Sequence, residues 1–191
     1  MRKIASVLVA VFLLAGFAAA NASAQGSAPA DTRKHTTLGK YCNAMEAYIM
    51  YRGKPKEVAI LDVRTPEEYD FVGHAEMAVN IPVKLCTTKF DAEKKHYTLA
   101  DNPEFVAQVS KRYGKNDTIL VLCRSGQRAA VAVNLLAQAG FTNVYNVVDG
   151  FEGDAVNDPE SVFNGKRMRN GWKNYGLPWT NALNPELVWS K

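Results

Sequence analysis

The chain has 191 residues, 47% of them hydrophobic, and a formal net charge of +4. That length fits one domain with a sizeable core. The charge is too small to point to nucleic acid or a membrane surface as partner.

Residues 1–24 read as an export signal. Arg2 and Lys3 precede an uncharged apolar run over 4–18, and Ala22-Ser23-Ala24 fits the small-x-small cleavage pattern before Gln25. The run is shorter than the roughly 20 residues that a span requires, which argues against an anchor. Cleavage removes only Arg2 and Lys3 among charged residues, so +4 becomes +2. The mature chain is then expected in a periplasmic or secreted setting, with no membrane contact.

Residues 25–36 are small, polar and proline-containing, which predicts a flexible leader. Leu38, Tyr41, Cys42, Met45, Tyr48 and Ile49 recur at helical spacing, predicting a helix over 38–51 ended by Gly53 and Pro55. Val58 to Val63 is an apolar run of the kind a buried parallel strand needs. Thr65-Pro66-Glu67-Glu68 supplies a cap, a proline for the first helical position and first-turn acids. A short strand is predicted over 78–81, then a long polar loop over 82–100. Asn102-Pro103 opens a helix reaching Tyr113, with Gly114 as its stop. A strand over 118–122, a helix over 129–139 ending at Gly140, and a last strand over 143–148 complete the pattern. Strands and helices alternate, so the expected fold is α/β with a mainly parallel central sheet flanked by helices on both faces.

Between the strand and the helix stands Cys123-Arg124-Ser125-Gly126-Gln127-Arg128. A sulfur there sits at the positive end of a helix, among backbone N–H groups and beside two guanidinium groups. These influences favour the anionic, nucleophilic form. The sulfur is expected to be accessible at the C-terminal edge of the sheet. Export to an oxidising compartment makes unpaired thiols unusual, and three cysteines leave one over. Cys42 paired with Cys86 is one arrangement, and two separate buried thiols the other. No cluster of His, Cys and acids has metal-ligand spacing, so neither a metal nor another cofactor is expected. His35 and His96 lie in polar stretches and carry no signal. The last stretch, from 149 on, holds Trp172, Trp179 and Trp189 and reads as a segment wrapping the domain.

Several motifs together resemble the rhodanese-like sulfurtransferase family. They are Leu61-Asp62-Val63-Arg64-Thr65-Pro66-Glu67-Glu68-Tyr69, Gly73-His74, residues 78–82, the Cys123–Arg128 loop with its helix, Gly171-Trp172-Lys173, and Gly176-Leu177-Pro178-Trp179. The likeness implies a rhodanese-like domain over 37–180 and a C-terminal tail over 181–191. The sequence departs from the family by an insertion over about 152–170 and by Ala75 after the Gly-His pair.

The resemblance implies that Cys123 carries sulfur as a persulfide, taken from a donor anion such as thiosulfate and passed to cyanide, a thiol or a protein acceptor. Loop N–H groups stabilise the anions, and Gly126 permits the close turn. Ser125 and Gln127 add donors or touch substrate, Arg128 closes the loop or holds an anion, and Arg124 faces the entrance. Asp62 and Arg64, at the end of a neighbouring strand, read either as support for the loop arginine or as an ordinary ion pair. His74 reads as a brace, since an already ionised sulfur requires no general base.

Three rival readings use the same residues. A cysteine phosphatase keeps five residues between cysteine and arginine, whereas four separate Cys123 from Arg128. A non-catalytic sulfur-carrier or protein-binding module would not need both of these residues. A thiol–disulfide protein would need Cys86 or Cys42 brought close as a resolving thiol.

Overall fold

A computed structural model describes residues 26–190. The signal-like stretch 1–24 lies outside the described residues. The elements in chain order begin with β1 (Tyr41–Cys42), α1 (Ala44–Gly53), β2 (Val58–Asp62), β3 (His74–Ala75), β4 (Val79–Asn80), β5 (Lys84–Asp91) and β6 (His96–Asp101). They continue with α2 (Phe105–Arg112), β7 (Thr118–Leu122), α3 (Gln127–Gln138), β8 (Val144–Val147), β9 (Asp154–Ala155), β10 (Arg167–Arg169) and β11 (Trp179–Thr180). The central sheet has the order β1-β8-β7-β2-β4, and every pairing in it is parallel.

The inner strands bury both faces, which is why they read as continuous apolar runs. Leu61, Val63, Ile119 and Val121 face α2 and α3, packing on Phe105, Val109, Val133 and Leu136. Ile60, Leu120 and Leu122 face the other way, onto Ala44, Ala47, Tyr145, Phe151 and Trp172. The alternating strand period continues past β7, so Cys123 shares the α3 side with Ile119 and Val121.

Three expectations are corrected. The helix over 38–51 is a strand followed by a helix. Tyr41 and Cys42 pair with Asn146 and Val147, and α1 starts only after Asn43. There Asn43 and Glu46 form a reciprocal capping box, with hydrogen bonds of 2.9 and 2.8 Å. The loop over 82–100 is the antiparallel hairpin β5–β6. Thr87 and Thr98 hydroxyls bond across it at 2.7 Å, and a bulge lies between Cys86 and Phe90. Residues 26–36 pack along β1 and β8 rather than forming a flexible leader. Lys34 Nζ donates to the Val148 carbonyl at 2.8 Å, and Asn146 Nδ2 to the Lys34 carbonyl at 2.8 Å.

The cysteines do not pair. Cys42 is buried and free, and Cys86 is exposed and free. Cys42, the last residue of β1, belongs to the core facing α1, while Cys86 stands on the hairpin. Burial, joined by the Glu46 and Asp149 charges, pushes the Cys42 thiol far up.

The insertion leaves and rejoins the domain at one point. A Cβ on Gly171 would stand 2.3 Å from the Gly153 nitrogen, so these two backbones touch where only glycine fits. Trp172 therefore reaches its place undisturbed, fully buried, with Nε1 donating to the Pro178 carbonyl at 2.9 Å. The tail covers the sheet edge: the Asn80 N–H donates to the Leu187 carbonyl at 2.8 Å.

Asp62 and Arg64 form an ion pair with both side chains 0% exposed. Arg64 Nε lies 3.0 Å from both Asp62 oxygens, and Nη2 donates at 2.6 Å to Asp62 Oδ2 and at 2.8 Å to the Gly73 carbonyl. The guanidinium lies 4.2 Å over the Phe151 ring. This pair locks the end of β2 to the segment before β3. Breaking one partner of a buried pair strands the other charge, so Asp62→Ala is expected to lower stability by about 3–5 kcal/mol. Urea unfolding of the two proteins measures this, and a midpoint unchanged by the substitution would refute it.

Candidate active site

β2 and β7 run side by side with Asp62 opposite Leu122, and the Val63 N–H donates to the Leu122 carbonyl at 2.8 Å. Cys123 thus emerges at the C-terminal edge of the sheet, where α/β folds place their ligand sites. The chain turns at Gly126, whose φ of 92° belongs to the left-handed region. A Cβ there would meet the Val148 carbonyl oxygen at 2.4 Å. One at Gly150 would meet the Cys123 carbonyl oxygen at 2.4 Å. Two glycines therefore let the loop and the segment after β8 close on one another.

The turn brings the Gly126 N–H to 3.1 Å from Cys123 Sγ. Gly126 is also the N-cap of α3 and offers no side-chain cap, so first-turn amides of that helix remain for an anion. The helix begins at Gln127, two residues before the expected start.

Cys123 is 1% exposed, which corrects the expectation of an openly accessible sulfur. The strand alternation turns it inward, and the β5–β6 hairpin, read from sequence as a loop, stands over it. Cys123 borders a cavity of about 420 Å³ lined also by Glu68, Cys86, His96, Tyr97, Leu99, Arg124, Ser125, Gln127 and Arg128. Arg124 is exposed and borders it. A larger recess of about 620 Å³ opens at the opposite edge of the sheet, near Glu57, Arg112 and Thr118, and its lining contains neither cysteine nor histidine.

Arg128 is held by Glu68 rather than by Asp62. Its Nη1 and Nη2 donate to the two Glu68 oxygens at 2.5 and 2.6 Å. Burial opposes both charges. The paired geometry overcomes it, holding Glu68 below the usual carboxylate range and Arg128 above its ordinary value. Glu68 is fixed in turn by its helix start, where its N–H donates to Thr65 Oγ1 at 3.3 Å and its carboxylate accepts from the Thr65 N–H at 3.1 Å. This capping pattern was legible, but not its purpose: Glu68 aims at the arginine of another element.

The other expected site residues divide. Ser125 lines the cavity. Gln127 lines it too, yet its Nε2 is drawn 3.2 Å from Asp31 Oδ2, so it ties the N-terminal segment to the site. Asp62 and Arg64 pair with each other below the site, which fits the ordinary ion pair. His74 lies away from the cavity. Its ring stacks on Tyr69 at 3.6 Å, and Nδ1 meets the Tyr69 carbonyl at 2.9 Å. Burial pushes its imidazole down, as suits a neutral brace. His96, which carried no sequence signal, faces the cavity with Tyr97 and Leu99. Cys86 Sγ donates to Thr65 Oγ1 at 3.7 Å. Desolvation, opposed by that hydrogen bond and joined by the Glu67 and Glu68 charges, pushes its thiol up.

Comparison with known proteins agrees with this geometry. The chain is 40% identical over 97 residues to thiosulfate sulfurtransferase 16, chloroplastic, of Arabidopsis thaliana, a match covering 51% of this chain and 73% of that one. Thiosulfate sulfurtransferase 18 of the same plant is 41% identical over 93 residues, covering 48% and 62%. The chain thus spans less than two thirds of that second relative. The crystal structure of Rv0390 from M. tuberculosis superposes with a TM-score of 0.57 and 30% identity, covering 74% of this chain and 99% of that one. The family description "Rhodanese-like domain" matches residues 47–155, a span that includes β2, the Cys123 loop and α3. With a cysteine loop between a parallel strand and a helix, and that match across more than half its length, the chain belongs to the rhodanese-like domain family.

Proposed function

We propose that this protein is a sulfurtransferase that carries sulfane sulfur on Cys123. One observation carries the reading: Cys123 borders a cavity at the α3 N-terminus, and its Sγ stands 3.1 Å from the Gly126 N–H. A nucleophile meets a ready-made anion site there.

In the first step the Cys123 thiolate attacks the outer sulfur of thiosulfate. The Cys123–sulfur bond forms, the sulfur–sulfur bond of the donor breaks, and sulfite leaves with the electron pair. In the second step cyanide or a thiol attacks the terminal sulfur of the persulfide, and the Cys123 thiolate returns. No oxidant or reductant is consumed. The loop amides and the α3 N-terminus stabilise the anion at each stage. Arg124 at the mouth attracts the donor, and Ser125 and Gln127 border its path. Arg128 contributes its field while anchored to Glu68.

That anchoring also weighs against the phosphatase reading, because both terminal nitrogens of Arg128 are already engaged by Glu68. The signal-like start extends the proposal to an exported enzyme acting on small sulfur anions and thiol or cyanide-like acceptors.

Steady-state kinetics with thiosulfate and cyanide test the reading. Parallel double-reciprocal lines are expected, the mark of a ping-pong covalent intermediate, with Cys123→Ser reduced to background. Intersecting lines, or turnover retained in Cys123→Ser, would refute it.

Glu68 is a positioning residue acting through Arg128. Glu68→Gln is expected to lower kcat/KM for thiosulfate about tenfold, mainly through kcat, because the arginine loses its fixed geometry. A pH profile adds a readout that a merely structural role would not move. The Glu68 carboxyl is held below its ordinary value, so the clamp persists as pH falls through the usual glutamate range and fails only below it. The acid limb should therefore lie lower in the wild type than in a variant with Arg128→Lys, whose point charge fits the carboxylate less well. Coincident acid limbs would contradict the role.

A further inference from the structure

We propose that Cys86 is a second sulfur carrier, receiving sulfane sulfur from the Cys123 persulfide and presenting it to acceptors too large to enter the cavity. The inference rests on the sulfurtransferase reading and adds a step to it. Both cysteines line the same cavity. Their exposures are opposite: Cys123 is 1% exposed on the floor, whereas Cys86 is exposed on the hairpin wall. A protein thiol cannot touch the first, but it can touch the second.

The position of Cys86 is tied to the catalytic loop through a short chain of contacts. Its Sγ is seated on Thr65 Oγ1 at 3.7 Å. The same hydroxyl accepts the Glu68 N–H at 3.3 Å, and the Glu68 carboxylate holds Arg128 of the Cys123 loop. The bulge between Cys86 and Phe90 re-aims the strand at this point. Cys42 is not part of this arrangement, being buried in the core on the other face of the sheet.

The step balances without an outside reagent. The Cys86 thiol loses its proton to solvent, and the resulting thiolate attacks the terminal sulfur of Cys123–S–S⁻. The Cys86–sulfur bond forms, the Cys123–sulfur bond breaks, and the electron pair returns to Cys123 as thiolate. One persulfide is exchanged for another, with no net oxidation or reduction.

Thiosulfate labelled in its outer sulfur tests the relay. The full mature chain is treated with one equivalent, quenched with an alkylating agent at successive times, and mapped by peptide mass. Label is expected first on Cys123 and then on Cys86, at a rate independent of protein concentration, with none on Cys42. Cys123→Ser should label neither cysteine, and Cys86→Ser only Cys123. A thiol tethered to dextran should lose about tenfold more turnover than cyanide in Cys86→Ser, because only the small acceptor reaches the floor. Label on Cys123 that never reaches Cys86 would overturn the relay alone. A Cys86–Cys123 disulfide with release of hydrosulfide would also overturn it. Failure of Cys123 to take up label in the wild type would instead overturn the sulfurtransferase reading itself.

Discussion

The site depends on two backbones approaching more closely than any side chain permits. Gly126 turns through the left-handed region against the Val148 carbonyl, and Gly150 lies against the Cys123 carbonyl. A Cβ at either position would fall 2.4 Å from a carbonyl oxygen. Closure of these segments carries the Gly126 amide to the sulfur and sets α3 behind it. The chemistry assigned to Cys123 follows from this packing: an amide and a helix terminus are in place before any donor arrives, so little reorganisation accompanies the reaction.

Around that closure, three side chains of the loop and of the β2 end are held by partners from elsewhere in the chain or beside them. The wholly buried Asp62–Arg64 pair joins β2 to the Gly73 turn and stacks on Phe151, which itself follows the Gly150 contact. Glu68 fixes Arg128 from a different element, and Asp31 draws in Gln127. Fold stability and site geometry are thus the same set of interactions, with the floor of the cavity held from below and its rim left to the hairpin.

Much of this was legible in the sequence. β7 is legible because a strand buried on both faces is an unbroken apolar run ending where the loop begins. The cysteine loop is legible because Cys123 to Arg128 stands between that apolar run and a helical stretch, although α3 starts two residues earlier than the pattern suggests. The errors have physical causes. Tyr41 and Cys42 joined a helical pattern because a two-residue strand carries no period of its own, although Asn43 and Glu46 marked the true helix start. The β5–β6 hairpin leaves little mark in the sequence because it is largely exposed, so neither face is buried enough to impose alternation. His96, Tyr97 and Cys86 were lost with it as cavity residues. The Glu68–Arg128 contact spans 60 positions and joins the short helical turn Glu68–Val72 to α3, so no local spacing encodes it.

The central claim is that the buried sulfur at position 123 accepts a sulfur atom. Intact-mass analysis of the protein after thiosulfate treatment tests it most directly. The account predicts a gain of about 32 Da, reversed by reductant and absent in Cys123→Ser. An unchanged mass in the wild type, or the same gain in Cys123→Ser, would contradict it.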